Sequence, residues 1–326
     1  MTRFITVWFL AFLLSIVGCR AQKKTIVVHD PVAIEADGGY YMYSTGVGIA
    51  SWHSDDLENW QFLAQVFNPV PEWAKKEVPL FDRNIWAPDI SFHNGRYYLY
   101  YSISSFASNR SCIGVATNTA LDPADPAYRW EDHGKVIESV PGRDNWNAID
   151  PNLVIDTNGT PWLAFGSFWG GLKLVKLDSS LQHIAVPQEW YTLAARPRNP
   201  HLEEKDPGDG AIEAPFIIFR EGFYYLFASF DLCCRGENST YNVRVGRSKN
   251  ITGPYFDQEG VSMLDGGGTL LVGPNENYYG MGHSSVYHFM GNDYFFCHAY
   301  DKNDKGRPKL ISKILEWDSE GWPSIH

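Results

Sequence analysis

Five stretches of the chain repeat one pattern, and a repeat of that kind constrains the architecture before any single motif is read. Each stretch has a polar or acidic residue, often beside Pro, then an apolar run, a turn with Gly or Asn, and an aromatic strand. The first is Asp30-Pro31-Val32-Ala33-Ile34, Asp37-Gly38-Gly39 and Tyr40-Tyr41-Met42-Tyr43-Ser44. The second is Ala87-Pro88-Asp89-Ile90-Ser91-Phe92, Asn94-Gly95 and Tyr97-Tyr98-Leu99-Tyr100-Tyr101. The third is Asp150-Pro151-Asn152-Leu153-Val154-Ile155, Asn158-Gly159 and Trp162-Leu163-Ala164-Phe165. The fourth is Glu213-Ala214-Pro215-Phe216-Ile217-Ile218, Glu221-Gly222 and Phe223-Tyr224-Tyr225-Leu226-Phe227. The fifth keeps the pattern without Pro, as His283-Ser284-Ser285-Val286-Tyr287, Gly291-Asn292 and Tyr294-Phe295-Phe296.

With Ser285 placed in the fifth Pro slot, successive slots are 57, 63, 64 and 70 residues apart, which is one repeat plus loops of variable length. Asn-Gly and Gly-Gly between two apolar runs signal hairpins, because those residues accept the positive φ of tight turns. A third strand follows each hairpin, at 48–52, 112–117, 171–177, 243–248 and 308–314, and a weaker fourth follows most of them. Helical periodicity is absent over any useful length. A twisted four-stranded sheet must stack on neighbours to bury both faces, so the pattern predicts an all-β, five-bladed β-propeller over 26–326. The inner strand comes first in each repeat, and the last outer strand falls near 322–325. Ring closure is therefore predicted to rest on side-chain packing between blades one and five, with no strand lent from one blade to the other.

In a propeller, equivalent positions of the inner strands converge at one mouth of the central channel. Beside the Pro slot stand Asp30 and Asp150, with Glu213 one residue earlier, while blades two and five offer Ala87 and Ser284. Packing therefore does not demand an acid there. Clustered carboxyls repel, which raises the pKa of at least one and leaves others ionised. Glycosidic cleavage needs that split, with one carboxyl protonating the leaving oxygen and another activating water. The offset of Glu213 predicts an irregular strand start in blade four.

The N-terminus speaks to compartment. Arg3, the fourteen-residue apolar run 4–17 and Gly18-Cys19 read as a signal peptide over 1–18, too short for a spanning helix. Ile16-Val17-Gly18-Cys19 is similar to a bacterial lipobox, which would make Cys19 the lipidated mature N-terminus on a short tether, 19–25. The expectation is an exported bacterial lipoprotein at the outer membrane, cell surface or periplasmic face, touching membrane only through its lipid. Without residues 1–18 the chain has 26 basic against 38 acidic residues, a formal charge of −12. Such a chain is not a nucleic-acid binder, whereas a neutral polysaccharide asks for no charge. Cys112, Cys233, Cys234 and Cys297 form no paired CxxC motifs; buried thiols are the reading for Cys233-Cys234, a vicinal disulfide the alternative.

The landmarks His29-Asp30-Pro31, Trp86-Ala87-Pro88-Asp89, Asn147-Ala148-Ile149-Asp150-Pro151, Ser167-Phe168-Trp169-Gly170-Gly171, Ala211-Ile212-Glu213-Ala214-Pro215, the run from Cys233-Cys234 through Ser239-Thr240-Tyr241 to Ser248, and Gly282-His283-Ser284 follow one another across nearly the whole chain. In that order the sequence resembles glycoside hydrolase family 43, and within it the endo-α-1,5-L-arabinanases. The resemblance implies Asp30 as general base, Glu213 as general acid, and Asp150 as the residue that orients the acid and tunes its pKa. It implies substrate contacts from Gly114, Asn147, Ala148, Ile149, Asp150, Ser167, Phe168 and Trp169, and a metal, commonly calcium, near His283. Physically, Phe168 and Trp169 offer flat apolar faces to a sugar ring, and Gly170-Gly171 allow close backbone approach. His29 is expected to support the base. The implied activity is inverting endo-hydrolysis of arabinan or arabino-oligosaccharides by a monomer. An exo-acting arabinofuranosidase or xylosidase on the same fold, and a non-catalytic glycan-binding propeller, are the alternatives.

Overall fold

The computed structural model describes residues 25–199, 201 and 210–325. The signal peptide and the lipid acceptor Cys19 lie outside the described residues. Among the described residues no helix is long and apolar enough to cross a membrane.

The five repeats fold as five antiparallel sheets around one axis. Blade one runs Val32–Ala36, Gly39–Ser44, Ala50–Ser54 and Gln61–Gln65. Blade two runs Asn84–His93, Arg96–Ile103, Ser111–Asn118 and Glu131–Ser139, with Gly46–Val47 added along its inner strand. Blade three runs Asn152–Ile155, Pro161–Phe165, Leu172–Lys176 and Trp190–Ala194. Blade four runs Ile212–Arg220, Phe223–Phe230, Asn242–Ser248 and Thr269–Val272. Blade five runs Tyr278–Phe289, Asn292–Asp301 and Arg307–Ile314. The predicted third strands are all present. Four of the first hairpins turn on two consecutive residues with positive φ, Asp37-Gly38, Asn94-Gly95, Glu221-Gly222 and Met290-Gly291, the turn whose twist matches that of the strands.

Alternation along each strand explains why the sheets stack into a ring. In the second strand of blade one, Tyr41 and Tyr43 join the core shared with blade two, while Tyr40 and Met42 join the core shared with blade five. Period-two alternation thus sends successive side chains to opposite neighbours. The buried apolar residues form five clusters, one at each interface between blades.

Two expectations need correction here. The end of the chain does not complete blade five: Pro323–Ser324 pairs with Glu316–Trp317 as a separate two-stranded ladder, and Trp317 and Trp322 pack into the core between blades four and five. The register in blade five also differs: the ladder resumes at Ser285 opposite Phe296, so His283 matches Asp30 and Ser284, not Ser285, takes the Pro place. Closure follows the expectation, since blades one and five share a side-chain core and no sheet contains strands of both. To that core the Leu310 N–H adds a bond to the Ile26 carbonyl at 3.1 Å.

Candidate active site

Backbone conformation reveals the site's construction. Asp30, Ala87, Asp150, Ala214 and His283 all have positive φ, between 42° and 59°. They occupy one equivalent place at the head of each inner strand. A left-handed residue there breaks the ladder, and the pairing irregularities at Trp86/Asp89, Glu213/Phe216 and Gly282/Ser285 record the break. The irregular start predicted for blade four is real, but it belongs to the repeat. Glu213 precedes the left-handed residue, as His29 and Ile149 do in their blades.

Each of these residues is caught by the preceding blade. The Ala87 N–H donates to Thr45 Oγ1 at 2.7 Å, Asp150 to Ser102 Oγ at 2.9 Å, and Ala214 to the Gly166 carbonyl at 3.3 Å. His283 donates to Ser229 Oγ at 2.8 Å, and Asp30 to His298 Nδ1 at 3.2 Å. The acceptors lie 15 or 16 residues after the left-handed residue of their own blade. That spacing is a signal in the sequence, though Thr, Ser, Gly and His share no common residue type at it. The orienting residues Thr45, Ser102 and His298 are consequently additions made by the structure.

Asp30, Asp150, Glu213 and His283 line one cleft of about 520 Å³ at the mouth of the channel, with His29, Asn147, Ile149, Ser167, Phe168 and Trp169 also on its wall. Gly114 and Ala148 are not on that wall. Ala148 is buried in the core between blades two and three, and Gly114 lies in a buried strand where a Cβ would meet the Tyr101 ring at 2.6 Å. Both serve packing in this structure. The Gly pair at 170–171 also has a packing cause: a Cβ would meet the Asn145 carbonyl at 2.5 Å or the Ala194 carbonyl at 2.2 Å. Phe168 and Trp169 themselves are left-handed, at φ 54° and 40°, and both are partly exposed.

Burial and partners set different charge states on the three acids. Burial opposes the Asp30 carboxylate, but His283, His298 and His29 outweigh it and hold the carboxyl far below its usual range. His283 Nδ1 stands 3.1 Å from Asp30 Oδ1, and Thr45 Oγ1 donates to Oδ2 at 2.5 Å. Glu213, 8% exposed, is raised by burial despite donors at both oxygens, Tyr241 Oη at 2.7 Å and Ser167 Oγ at 2.8 Å. Asp150 is raised strongly by burial and by the neighbouring carboxyls of Glu213 and Asp30, with His283 opposing them. One acid is therefore held in its charged form and the other two are biased toward the protonated form, the division that acid–base cleavage requires. Burial also holds His298 well below the ordinary imidazole range, consistent with its Nδ1 accepting the Asp30 N–H while Nε2 faces Tyr300 Oη at 3.1 Å.

The donor set for a cation is thin. His283 is raised to about 9, burial being outweighed by Asp30, so the ring is held protonated and Nε2 can offer a lone pair only after giving up its proton, with Nδ1–H kept toward Asp30. Calcium takes six to eight oxygen ligands, so the most this chain would supply is one deprotonated nitrogen to a hydrated ion, not a protein cage. His29, Asp30 and His298 gather their ligand atoms within 4.8 Å of one another, yet His298 Nδ1 already accepts the Asp30 N–H.

Cys233 and Cys234 are joined as a vicinal disulfide, against the expectation of buried thiols, and both line the cleft. Cys112 and Cys297 are free and buried.

Comparison with known proteins follows the same lines. The pattern of Glycosyl hydrolases family 43 matches residues 24–323. The extracellular exo-α-(1→5)-L-arabinofuranosidase of Cellvibrio japonicus is 49% identical over 97% of this chain and 90% of its own length. The extracellular endo-α-(1→5)-L-arabinanase 1 of Bacillus subtilis is 44% identical over 91% of this chain and 87% of its own. Among solved structures, the α-L-arabinanase of Cellvibrio cellulosa complexed with arabinohexaose superposes with a TM-score of 0.91 at 49% identity, covering 93% of this chain and 96% of that one.

Proposed function

The chain belongs to glycoside hydrolase family 43, and on that premise we propose that it cuts α-1,5-linked arabinan at internal bonds, with inversion at the anomeric carbon. It is a glycoside hydrolase of the arabinanase type. The observation that carries the acid–base reading is the charge split within one cleft, Asp30 held in its charged form and Glu213 biased toward its protonated form. Ionised Asp30 takes a proton from water as the water oxygen attacks the anomeric carbon. Protonated Glu213 gives its proton to the departing glycosidic oxygen. Asp150, whose carboxyl is raised by burial and by the charges of Glu213 and Asp30, tunes the acid through that mutual repulsion.

Endo action draws support from how many blades line the cleft, blade two at Trp86, Ser104 and Phe106 and blades four and five at Cys234, Arg235 and Pro308. Such a lining would suit a chain that extends past the cut. The exo reading keeps its own support, because the relative at 49% identity is named as exo-acting. A non-catalytic glycan binder would need the aromatic wall but not three carboxyls of divided charge. Chromatography of products from linear arabinan at low conversion separates the readings: endo action gives a ladder of oligosaccharides, and arabinose or one short product from the outset means exo action.

Export agrees with the two extracellular relatives, and attachment through a lipid on Cys19 is part of the proposal. Membrane fractionation of Cys19→Ala tests that attachment. A hydrated calcium ion at His283 Nε2 completes the reading and would require that ring to release a proton; when bound it would supply positive charge near the acids, and calorimetric titration with calcium of chelator-treated protein decides its presence.

A further inference from the structure

A disulfide between adjacent residues poses a physical question. Cross-links stabilise chiefly by removing freedom from the unfolded chain, and that effect grows with the loop they close. The Cys233–Cys234 bond has a sequence separation of 1 and staples no two elements together. Its use must be local.

Its location is the substrate cleft. Both cysteines line it, Cys234 is exposed and Cys233 partly so, which puts sulfur on the accessible wall. The loop that carries them is held firmly. Thr240 N–H donates to the Leu232 carbonyl at 3.0 Å, and Arg235 N–H donates to Ser239 Oγ at 3.2 Å. The Cys234 N–H donates to Tyr300 Oη at 2.7 Å, and Tyr300 rests on His298, whose Nδ1 accepts from Asp30. The sulfur pair is thereby fixed with respect to the catalytic base. Cys234 is left-handed, at φ 63°, a conformation that turns this residue out toward the cleft at some backbone cost.

We propose that the Cys233–Cys234 disulfide is a substrate-binding platform, a compact apolar step on which a furanose ring of the arabinan chain rests. Two bonded sulfurs are polarisable, carry no charge and have no strong hydrogen-bonding demand, so they suit the C–H surface of a neutral sugar. They complement the aromatic wall at Phe168 and Trp169. The inference rests on the arabinan reading above and adds a binding element to it.

The test uses Cys233→Ala/Cys234→Gly, in which Gly accepts the left-handed backbone while both sulfurs are lost. With linear arabinohexaose, KM should rise about three- to tenfold, while kcat and the pH profile stay as in the parent enzyme. Unchanged KM overturns the platform. A fall in kcat with a displaced pH profile also overturns it, since the loop would then act through Tyr300 and His298 on the base. Mild phosphine reduction of the parent enzyme parts the step into two separate thiols without a new sequence to fold, and KM should rise there too, by less than in the variant. A parent enzyme active on arabinohexaose with an unchanged variant defeats only this inference; a parent enzyme inert on it defeats the function reading and this inference together.

Discussion

The main-chain N–H of Asp30 donates to Nδ1 of His298 across 268 residues of sequence, at 3.2 Å. One bond thus ties blade five to blade one and orients the residue assigned as base. Four other left-handed residues are held the same way by hydroxyl or carbonyl oxygens, and only this one is held by an imidazole. His298→Ala leaves the buried Asp30 N–H without a partner, which costs about 1–3 kcal/mol. Melting temperature and kcat should therefore fall together. A variant with full kcat would separate closure from catalysis.

Tyr241 and Ser167 each donate to Glu213, and donors to a carboxylate favour its charged form. Removing either donor should raise the Glu213 pKa further. The acid must hold its proton to act, so activity is lost as pH rises through that pKa. Tyr241→Phe and Ser167→Ala should each carry the alkaline limb of kcat/KM to higher pH, as measured on linear arabino-oligosaccharides. A shift to lower pH would contradict the assignment of Glu213 as acid.

Asp30→Ala and Glu213→Ala should both lose nearly all turnover on arabinan, by about 10²- to 10⁴-fold each, with binding retained. They should part on an aryl arabinobioside, whose leaving group needs little protonation. Glu213→Ala then keeps part of its rate and Asp30→Ala does not. Equal losses would argue against the two roles.

Asp89 is a buried acid that the chemistry does not use. Its oxygens accept from Asn152 Nδ2 at 3.2 Å and from the Leu153 N–H at 2.8 Å, joining blade two to blade three. Burial raises it to about 7 despite those bonds. Between its unfolded pKa near 4 and this value, the folded chain holds a proton that the unfolded chain releases, so Asp89 makes the protein less stable as pH rises. The loss is complete only above about 7. From pH 5 to pH 8, Asp89→Asn should lose less stability than the parent, by a few kcal/mol at most, in denaturant melts. Parallel curves would contradict a raised Asp89.

The repeats were legible because hairpin turns and alternating aromatics write themselves locally: Asn94-Gly95 must turn, and Tyr40 to Tyr43 must face two neighbours. Blade five slipped by one in sequence because no Pro marks Ser284. Closure at Ile26 is a single backbone bond and leaves no side-chain signature. In the site, the acids stood out at a repeated slot, whereas His298 sits in another strand, Thr45 and Tyr241 sit just beyond strand ends, and all three reach the acids only through folding. Gly114 and Gly170 show the converse, since a glycine required by a packed ring or carbonyl looks in sequence like one kept for a ligand.

The central claim is that Asp30 activates water and Glu213 protonates the leaving oxygen from opposite sides of the sugar. Two carboxyls in those roles stand about 6.5–9.5 Å apart to admit the water, and a single displacement inverts the anomeric carbon. Proton NMR of the first sugar released from an α-linked arabino-oligosaccharide, recorded before mutarotation, reads the outcome directly. The β-anomer should appear first. The α-anomer appearing first would make Asp30 a nucleophile and contradict the account.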